Sequence, residues 1–506
     1  MTESESVALP LGESPICFLS CVILSNFSLF GKRFYTAFII FFKKINFFRL
    51  TLKKNSIIIE KNNVTLRGKT MSITCKFGGT SLATAANIRA ACEIVRQNPD
   101  RRFVVVSAPG KKNASGKKVT DLLQLCHASR FEEDKFQEYF QEIADTFREI
   151  AALAPNFPID EELERMCGQI KFSESNIDFV MSRGEYLNAR LIAAYLGFTF
   201  LDAAKFIRFK KGELDMPATL RAAEKLSFEG NFVIPGFYGL DEKGHVKTFS
   251  RGGSDITGSV VARVFGCDLY ENWTDVDGIR VCDPRIVEGS KKVEQVSFRE
   301  LREMSYMGAS VLHAETLLPV HDKPIPIVIK NSFAPTLSGT QILKKRTEVS
   351  AKEAITCITG KSDYTCIQIS KMMLDKQLGF VKKATTVFEE YHINISHTHS
   401  GLDNLCFFVE NSEYKEISFA DFVKVLSSRI DADKIKTHEK LALLAVIGHN
   451  LSGKSWILAK IFKTLSDHSI GVKTVYQSIS ECNVIVGVED GKLNECVRAL
   501  YKELIG

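Results

Sequence analysis

Along most of the chain, short apolar runs alternate with amphipathic stretches of helical period. Ile73 to Phe77 is a β-like run closed by Gly78-Gly79, and Ala85 to Arg96 then carries its apolar positions at helical spacing. Phe103 to Ser107 is a second, mostly apolar strand, and Phe131 to Ala154 is charged and amphipathic at helical spacing. Phe232 to Phe237, Leu269 to Trp273 and Ile325 to Ile329 are further strand candidates. Strands separated by helices predict an α/β domain, a mostly parallel sheet sandwiched by helices, with ligands at the carboxyl ends of the strands.

Past Thr347 the texture changes, and a pattern repeats at a spacing of about 77 residues. Val381, Ala384 and Phe388 form a helical apolar stripe before the strand candidate Ile393-Asn394-Ile395. Leu458, Ile461 and Leu465 repeat the stripe before Ile470-Gly471-Val472. A further strand follows each, Leu405 to Val409 and Val484 to Val488, and then a helix, Phe419 to Ser427 and Leu493 to Leu504. The pattern predicts two small strand–helix–strand–strand–helix modules, sheets side by side, with a ligand groove between them.

Residues 1–70 differ from the rest. They are rich in Phe, Ile, Leu and Lys, and Lys32, Arg33, Lys43, Lys44 and Arg49 interrupt the apolar runs before any reaches the roughly 20 residues of a membrane span. The segment shows no helix caps, sustained period or partner elements. A basic, acid-poor leader suits an organelle transit peptide; the favoured reading is a translation start at Met71, directly before the first motif.

Composition narrows the class. Hydrophobic residues make up 45% and charged residues 25%, the balance of a soluble globular protein. The net charge of +6 is spread along the chain, without a basic stripe interleaved with aromatics, so no nucleic-acid partner is expected. The 13 cysteines include no CxxC pair, which excludes a clustered zinc site and a disulfide scaffold and predicts reduced thiols in a cytoplasmic protein.

Two glycine-rich turns carry the chemistry. Lys76-Phe77-Gly78-Gly79-Thr80-Ser81 follows a strand and precedes a helix, where glycine lets backbone approach a phosphate and the helix N-terminus offers N–H donors. Ser250-Arg251-Gly252-Gly253-Ser254-Asp255 has the same setting; Arg251 offers a planar fork for a carboxylate, and Asp255 is placed to orient Lys76 or to hold a metal through water. Ser182-Arg183-Gly184-Glu185 reads as the head of a third helix, where Glu185 suits an α-ammonium. Trp273-Thr274-Asp275-Val276-Asp277-Gly278-Ile279, with Asp283-Pro284-Arg285 after it, reads as a platform for a base and ribose. Each piece taken singly is also explained by an ordinary turn.

Gly448-His449-Asn450-Leu451-Ser452-Gly453-Lys454-Ser455 matches the phosphate-loop pattern GxxxxGK[ST]. About fifty residues remain after it, too few for such a sheet, and it falls inside the repeat, whose other copy lacks it at Leu374 to Gly379. It is read as the strand-to-helix turn of a module.

KFGGTS, VVVSA, SRGE, SRGGSD, WTDVDGI and DPR, in this order and at these separations, resemble the aspartate kinase family of the amino-acid kinase fold, from Ser72 to Gly506, in its monofunctional form with a C-terminal pair of ACT modules. The resemblance implies four regions: an atypical extension at 1–70, a catalytic domain at 71–347, and ACT modules at 348–437 and 438–506. It implies transfer of the ATP γ-phosphoryl group to the side-chain carboxylate of L-aspartate, with Mg2+ and no tightly bound cofactor. Lys76 and Asp255 would be catalytic. Lys76, Phe77, Gly78, Gly79, Thr274, Asp275, Arg280, Arg285, Ser310 and Val311 would meet ATP. Ser107, Thr120, Glu185, Arg251, Gly252, Gly253 and Ser254 would hold aspartate. Met373, Gly379, Phe380 and Val381 would receive an amino-acid effector, lysine above others, in a homodimer paired through the ACT modules.

The chain departs from the family pattern at Ser310, where a lysine is frequent, and at Arg280, where a tyrosine is frequent, so Arg280 is expected to supply part of the missing charge. The loop Lys111 to Lys118, with four lysines, is expected to cover the site. The rival readings are a kinase for glutamate, acetylglutamate or UMP, and a non-catalytic amino-acid sensor.

Overall fold

The computed structural model describes residues 48–53, 56–61, 71–113, 115–172, 176–226, 229–250, 252–309, 311–346, 354–415, 418–477 and 482–506. Met1–Thr70 and Met71–Gly506 are separate units. In the first, which showed no partner elements in its sequence pattern, Phe48–Lys53 and Ser56–Lys61 pair as an antiparallel hairpin.

The second unit opens with an eight-stranded sheet. Its strands are β1 (Ile73–Phe77), β2 (Arg101–Val106), β3 (Thr199–Phe200), β4 (Phe232–Pro235), β5 (Leu269–Thr274), β6 (Gln295–Ser297), β7 (Ile327–Asn331) and β8 (Thr340–Leu343), in the order β6-β8-β7-β5-β1-β2-β4-β3. Every pairing is parallel except β7 with β8. The central strands are buried on both faces, which explains their continuous apolar texture. Alternate residues divide between two cores: Val104 and Val106 join Phe77 on one face, Phe103 and Val105 join Ile234 on the other.

The first face is covered by α1 (Ala85–Arg96), α2 (Val119–Ala128), α3 (Glu133–Ala151), α4 (Ile159–Phe172) and α5 (Ile177–Leu196), whose apolar residues complete that core. After the short α6 (Met216–Ala223), α7 (Gly253–Val264) packs on the other face, and α8 (Phe298–Tyr306) follows β6. Thr84 caps α1 by accepting from the Asn87 amide at 3.2 Å, and Gly197 at φ 72° ends α5. A buried network fixes β1, β2 and β5 below the site: Arg101 Nε and Nη2 reach Glu271 at 2.8 and 3.1 Å, and Trp273 Nε1 donates to the same carboxylate at 3.0 Å.

The C-terminal region is one six-stranded antiparallel sheet. It comprises β9 (Ile355–Ser370), β10 (His397–Ser400), β11 (Asn404–Glu410), β12 (Lys434–Gly448), β13 (Thr474–Tyr476) and β14 (Asn483–Glu489), in the order β10-β11-β9-β12-β14-β13. The helices are α9 (Phe380–Glu390), α10 (Phe419–Ile430), α11 (Ser455–Asp467) and α12 (Leu493–Leu504). The two long strands run through both modules: Tyr364–Ser370 pairs with β11, whereas Ile355–Lys361 pairs with Leu443–Gly448 of β12. Asp363 (φ 68°) and Lys440 (φ 57°) mark the register shift between the halves. Thus the first strand of the second module precedes the first module in the chain. The strands expected at Ile393–Ile395 and Ile470–Val472 form later, at β10 and β13; Ile393 and Ile470 are buried side chains just past the ends of α9 and α11, so their apolarity reports packing and not strand pairing.

The first module has its own core around Phe388, Phe407 and Phe422, whereas the second shares one continuous core with the catalytic domain, from Met304 and Leu312 to Ile358 and Leu493. Within the phosphate-loop look-alike, Lys454 Nζ donates back to the His449 carbonyl at 2.6 Å, and a Cβ on Gly448 would stand 2.0 Å from the Ala354 carbonyl oxygen. The strand before it has antiparallel neighbours, so the segment serves as a module turn.

Candidate active site

Parallel pairing brings the ends of β1, β2 and β5 together, and their turns are stitched by backbone. The Gly78 amide donates to the Trp273 carbonyl at 3.1 Å, the Gly110 amide to the Gly79 carbonyl at 2.9 Å, and the Ser107 amide to the Phe77 carbonyl at 3.2 Å. A Cβ on Gly110 would lie 2.6 Å from the Gly79 carbonyl, so only glycine permits this approach. The Phe77 ring is buried and stacked on Trp273 at 6.0 Å; it contributes backbone to the turn and its side chain to the core.

Beyond these turns lies a cavity of about 380 Å³ lined by Lys76, Ser107, Thr120, Glu185 and Gly252 to Asp255, with Met181, Phe237 and Ser250 between them. Residues from five separate stretches thus meet around one cavity. Lys76 Nζ lies 2.6 Å from Asp255 Oδ1. Asn272 Nδ2 donates to that same oxygen at 2.8 Å, and Tyr270 Oη donates to the Asp255 carbonyl at 3.1 Å.

Gly252, at φ 60°, caps α7, and a Cβ on it would stand 2.7 Å from His313 Cβ. Gly253 and Gly236 allow similarly close approaches, to Phe237 and Ser254. The N-terminus of this twelve-residue helix, without a side-chain cap, therefore lines the cavity and favours an anion.

Glu185 does not head a helix. SRGE lies within α5, which begins at Ile177 behind the Asn176 cap; Ser182 resembled a cap in sequence, but its hydroxyl bonds back to the Phe179 carbonyl at 2.7 Å. Gly184 lets this helix press on the turn after β2: a Cβ there would lie 2.9 Å from Ala108 Cβ. Glu185 is 4% exposed, burial pushes its carboxyl up to about 8 against the pull of the Ala108 amide, and its Oε2 has no partner. A buried carboxyl poised this way accepts an ammonium and ionises as it does so.

The turn after β5 follows Trp273, beside the Gly78 turn, and none of its residues lines the cavity. Thr274 Oγ1 donates to Asp275 Oδ1 at 3.2 Å, and Asn331 Nδ2 donates to Asp277 Oδ1 at 2.7 Å. Arg280 donates to the Ser290 carbonyl at 2.6 Å and stands 3.5 Å from Asp277. Arg285 is paired with Asp283 at 2.6 Å on the surface, and Val311 is exposed; neither lines the cavity. Arg251 and Ser310 lie outside the described residues. The Lys111 to Lys118 loop is tied at two points toward α3, by Lys112 to Glu149 at 2.7 Å and by Lys117 over the Tyr139 ring.

Met373, Gly379, Phe380 and Val381 belong to the first module, away from this cavity. Gly379, at φ 77°, caps α9; Phe380 enters the module core, while Met373 and Val381 are exposed. Several contributors carried no motif. Asn272 is visible only as the inward partner of Asp255, Asn188 holds the Ser107 carbonyl at 2.7 Å, and Ser332 meets Ser81 at 2.7 Å. Among the described residues no helix is long and apolar enough to cross a membrane, and no cluster of three or more His, Cys, Asp or Glu is assembled for a metal.

Comparisons with known proteins bear on the family and the fold. Residues 71–331 match the model of the amino acid kinase family, and residues 444–504 match an ACT domain. Aspartokinase 3 of Bacillus subtilis is 32% identical over 444 residues, spanning 85% of this chain and 97% of that protein. The crystal structure of Clostridium acetobutylicum aspartate kinase superposes with a TM-score of 0.76 at 36% identity, over 86% of this chain and all (100%) of that one. Escherichia coli aspartokinase III, solved with aspartate and ADP, shares the fold at a TM-score of 0.70 and 24% identity, over 86% of this chain and 100% of that one.

Proposed function

This chain belongs to the amino acid kinase family, and within it to the aspartokinases, and we propose the following chemistry for its cavity. It is an aspartate kinase with ACT modules, and its product is 4-phospho-L-aspartate, the first committed step toward lysine, diaminopimelate, threonine and methionine. The observation that carries the assignment of groups is the cavity itself, where a lysine, a buried carboxyl and a helix N-terminus converge.

Aspartate would place its ammonium against Glu185 and its α-carboxylate against the Gly252–Ser254 turn, with Arg251 closing the fork. Its side-chain carboxylate, ionised at neutral pH, attacks the γ-phosphorus in line, and no general base is required. Catalysis then rests on positioning and on charge placed where charge develops. Lys76 is the cation for the transferring group. Asp255 and Asn272 hold it in place, and the amide of Gly79 would face the phosphates, while that of Gly78 fixes the turn through the Trp273 carbonyl. Magnesium would enter with ATP and neutralise phosphate charge, and Asp255 is the cavity carboxylate that would hold it through water. Thr274 and Asp275 would meet the nucleotide, and Arg280 would add positive charge beside them; the pairing of Arg285 with Asp283 would leave it as a surface contact to the ribose or phosphates.

Regulation would enter through the first ACT module. Gly379 opens α9 in the left-handed conformation, and exposed Met372, Met373, Leu378, Val381 and Leu402 leave an apolar surface suited to a second copy of the module. Lysine in that groove, in a cytoplasmic homodimer, is the reading these features support. Release of ADP, coupled to a dehydrogenase readout, tests it: L-aspartate should support turnover, glutamate, acetylglutamate and UMP should not, and L-lysine should inhibit.

A further inference from the structure

A second cavity, of about 520 Å³, lies between the catalytic domain and the ACT modules. Arg302, Glu303 and Tyr306 at the end of α8 form one wall; His397 of β10, Tyr476 of β13 and Asn483 of β14 form the opposite one. It lies apart from the Gly379 surface, with which it shares no residue.

Three of its lining residues each carry a buried polar atom with no hydrogen-bond partner: Asn483 Oδ1, His397 Nε2 and His313 Nδ1. Asn483 is 1% exposed, and its Nδ2 donates to Glu303 Oε2 at 2.5 Å, which fixes the amide with its oxygen left over. Buried polar groups are normally satisfied, so an unmet acceptor on a cavity wall marks where a donor belongs. Arg302 is exposed at the rim and has no ion-pair partner among the described residues. The Tyr306 and Tyr476 rings stand 5.6 and 5.8 Å from that of His397 and supply flat apolar walls.

We infer that this cavity is a binding site for a free α-amino acid, separate from the groove at Gly379. A zwitterion brings an ammonium for Asn483 Oδ1 beside the Glu303 carboxylate, and a carboxylate for Arg302 and an imidazole N–H. A simple anion would leave Asn483 Oδ1 facing negative charge, and an apolar ligand would leave all three atoms unmet. Burial holds the His397 imidazolium below its usual range, so that ring is neutral near pH 7 and donates through one nitrogen only.

The site has a mechanical connection to catalysis. Tyr306 Oη donates to the Ser396 carbonyl at 2.7 Å, and His313, on the cavity wall, abuts Gly252 of the catalytic turn, where a Cβ would meet His313 Cβ at 2.7 Å. A ligand that moves His313 therefore biases the turn that lines the active site, and binding and turnover are coupled reciprocally. Only this consequence rests on the aspartokinase reading; binding does not.

Calorimetry on the full chain tests the site without turnover. L-Lysine, L-threonine and L-methionine serve as probes of cationic, polar and apolar side chains, in a Val381→Glu background that disables the first-module groove. At least one should bind, and adding Arg302→Gln should weaken that binding tenfold or more with an unchanged melting temperature. Absence of binding in the Val381→Glu background, or binding indifferent to Arg302→Gln, overturns the inference.

Discussion

Lys76 Nζ lies 2.6 Å from Asp255 Oδ1, and Asn272 Nδ2 holds the same oxygen at 2.8 Å. The lysine stands on β1, the aspartate in the first turn of α7 and the asparagine on β5, so three elements agree on one position for the ammonium. The pair is mostly buried, at 9% and 18% side-chain exposure, which keeps the charge from being screened. Asp255 thus pairs with the lysine that phosphate would meet.

Lys76→Met should therefore act on kcat. Removing one donor from a developing charge typically costs about 2.7–4 kcal/mol, or roughly 10²–10³ in rate. Steady-state kinetics at saturating aspartate and MgATP checks this, and turnover within a few-fold of the parent removes Lys76 from the transfer step. Asn272→Ala should lower kcat less, through a displaced Asp255.

Glu185 gives the site a pH signature. Its folded-state value of about 8 lies above the ordinary 4.5, so the folded protein keeps a proton that the unfolded chain releases. Its contribution to stability is full below 4.5 and is lost as pH rises through about 8. Aspartate binding runs the other way, because the ammonium pairs with the ionised form. The aspartate KM should fall as pH rises from 6 toward 8, by up to about tenfold per unit. In Glu185→Gln that slope should vanish and KM should stay high; a parallel slope in both proteins assigns the titration elsewhere.

Gly110→Ala should damage structure and activity together. The new methyl would lie 2.6 Å from the Gly79 carbonyl, backbone against backbone, so neither turn yields cheaply. Overpacking of this kind costs about 1–3 kcal/mol. Thermal unfolding should show the loss, and the ATP KM should rise as the turn moves.

A protein beginning at Met71 should fold and turn over like the full chain. Met1–Thr70 is a separate unit, and the described residues that line the two cavities all follow it in the chain. Thermal unfolding and kcat of the shortened protein check this; an insoluble or inactive product would show that the extension matters.

The elements legible in the sequence were those whose period and caps agree. Ala85 to Arg96 and Leu493 to Leu504 coincide with their helices, and Ile73 to Phe77 with its strand. SRGE misled because Ser182 looks like a cap until the preceding turn of helix is seen beneath it. Ile393 and Ile470 misled because a buried isoleucine after a helix has the texture of a strand. The continuity of β9 and β12 through both modules was hidden altogether, since it depends on pairing between distant residues, such as Cys357 with Ile447, 90 positions apart. In the site, the glycines and charged residues carried local signals, whereas Asn272, Asn188 and His313 act through partners 17, 81 and 61 positions away.

Hydroxylamine trapping of the acyl phosphate tests the central claim most directly. Purified protein, MgATP, L-aspartate and hydroxylamine should yield aspartate β-hydroxamate in step with ADP, and Lys76→Met should yield it 10²–10³ times more slowly, as loss of one such donor implies. ADP release without hydroxamate, or hydroxamate formed equally well from glutamate, would contradict the assignment of this cavity to aspartate phosphorylation.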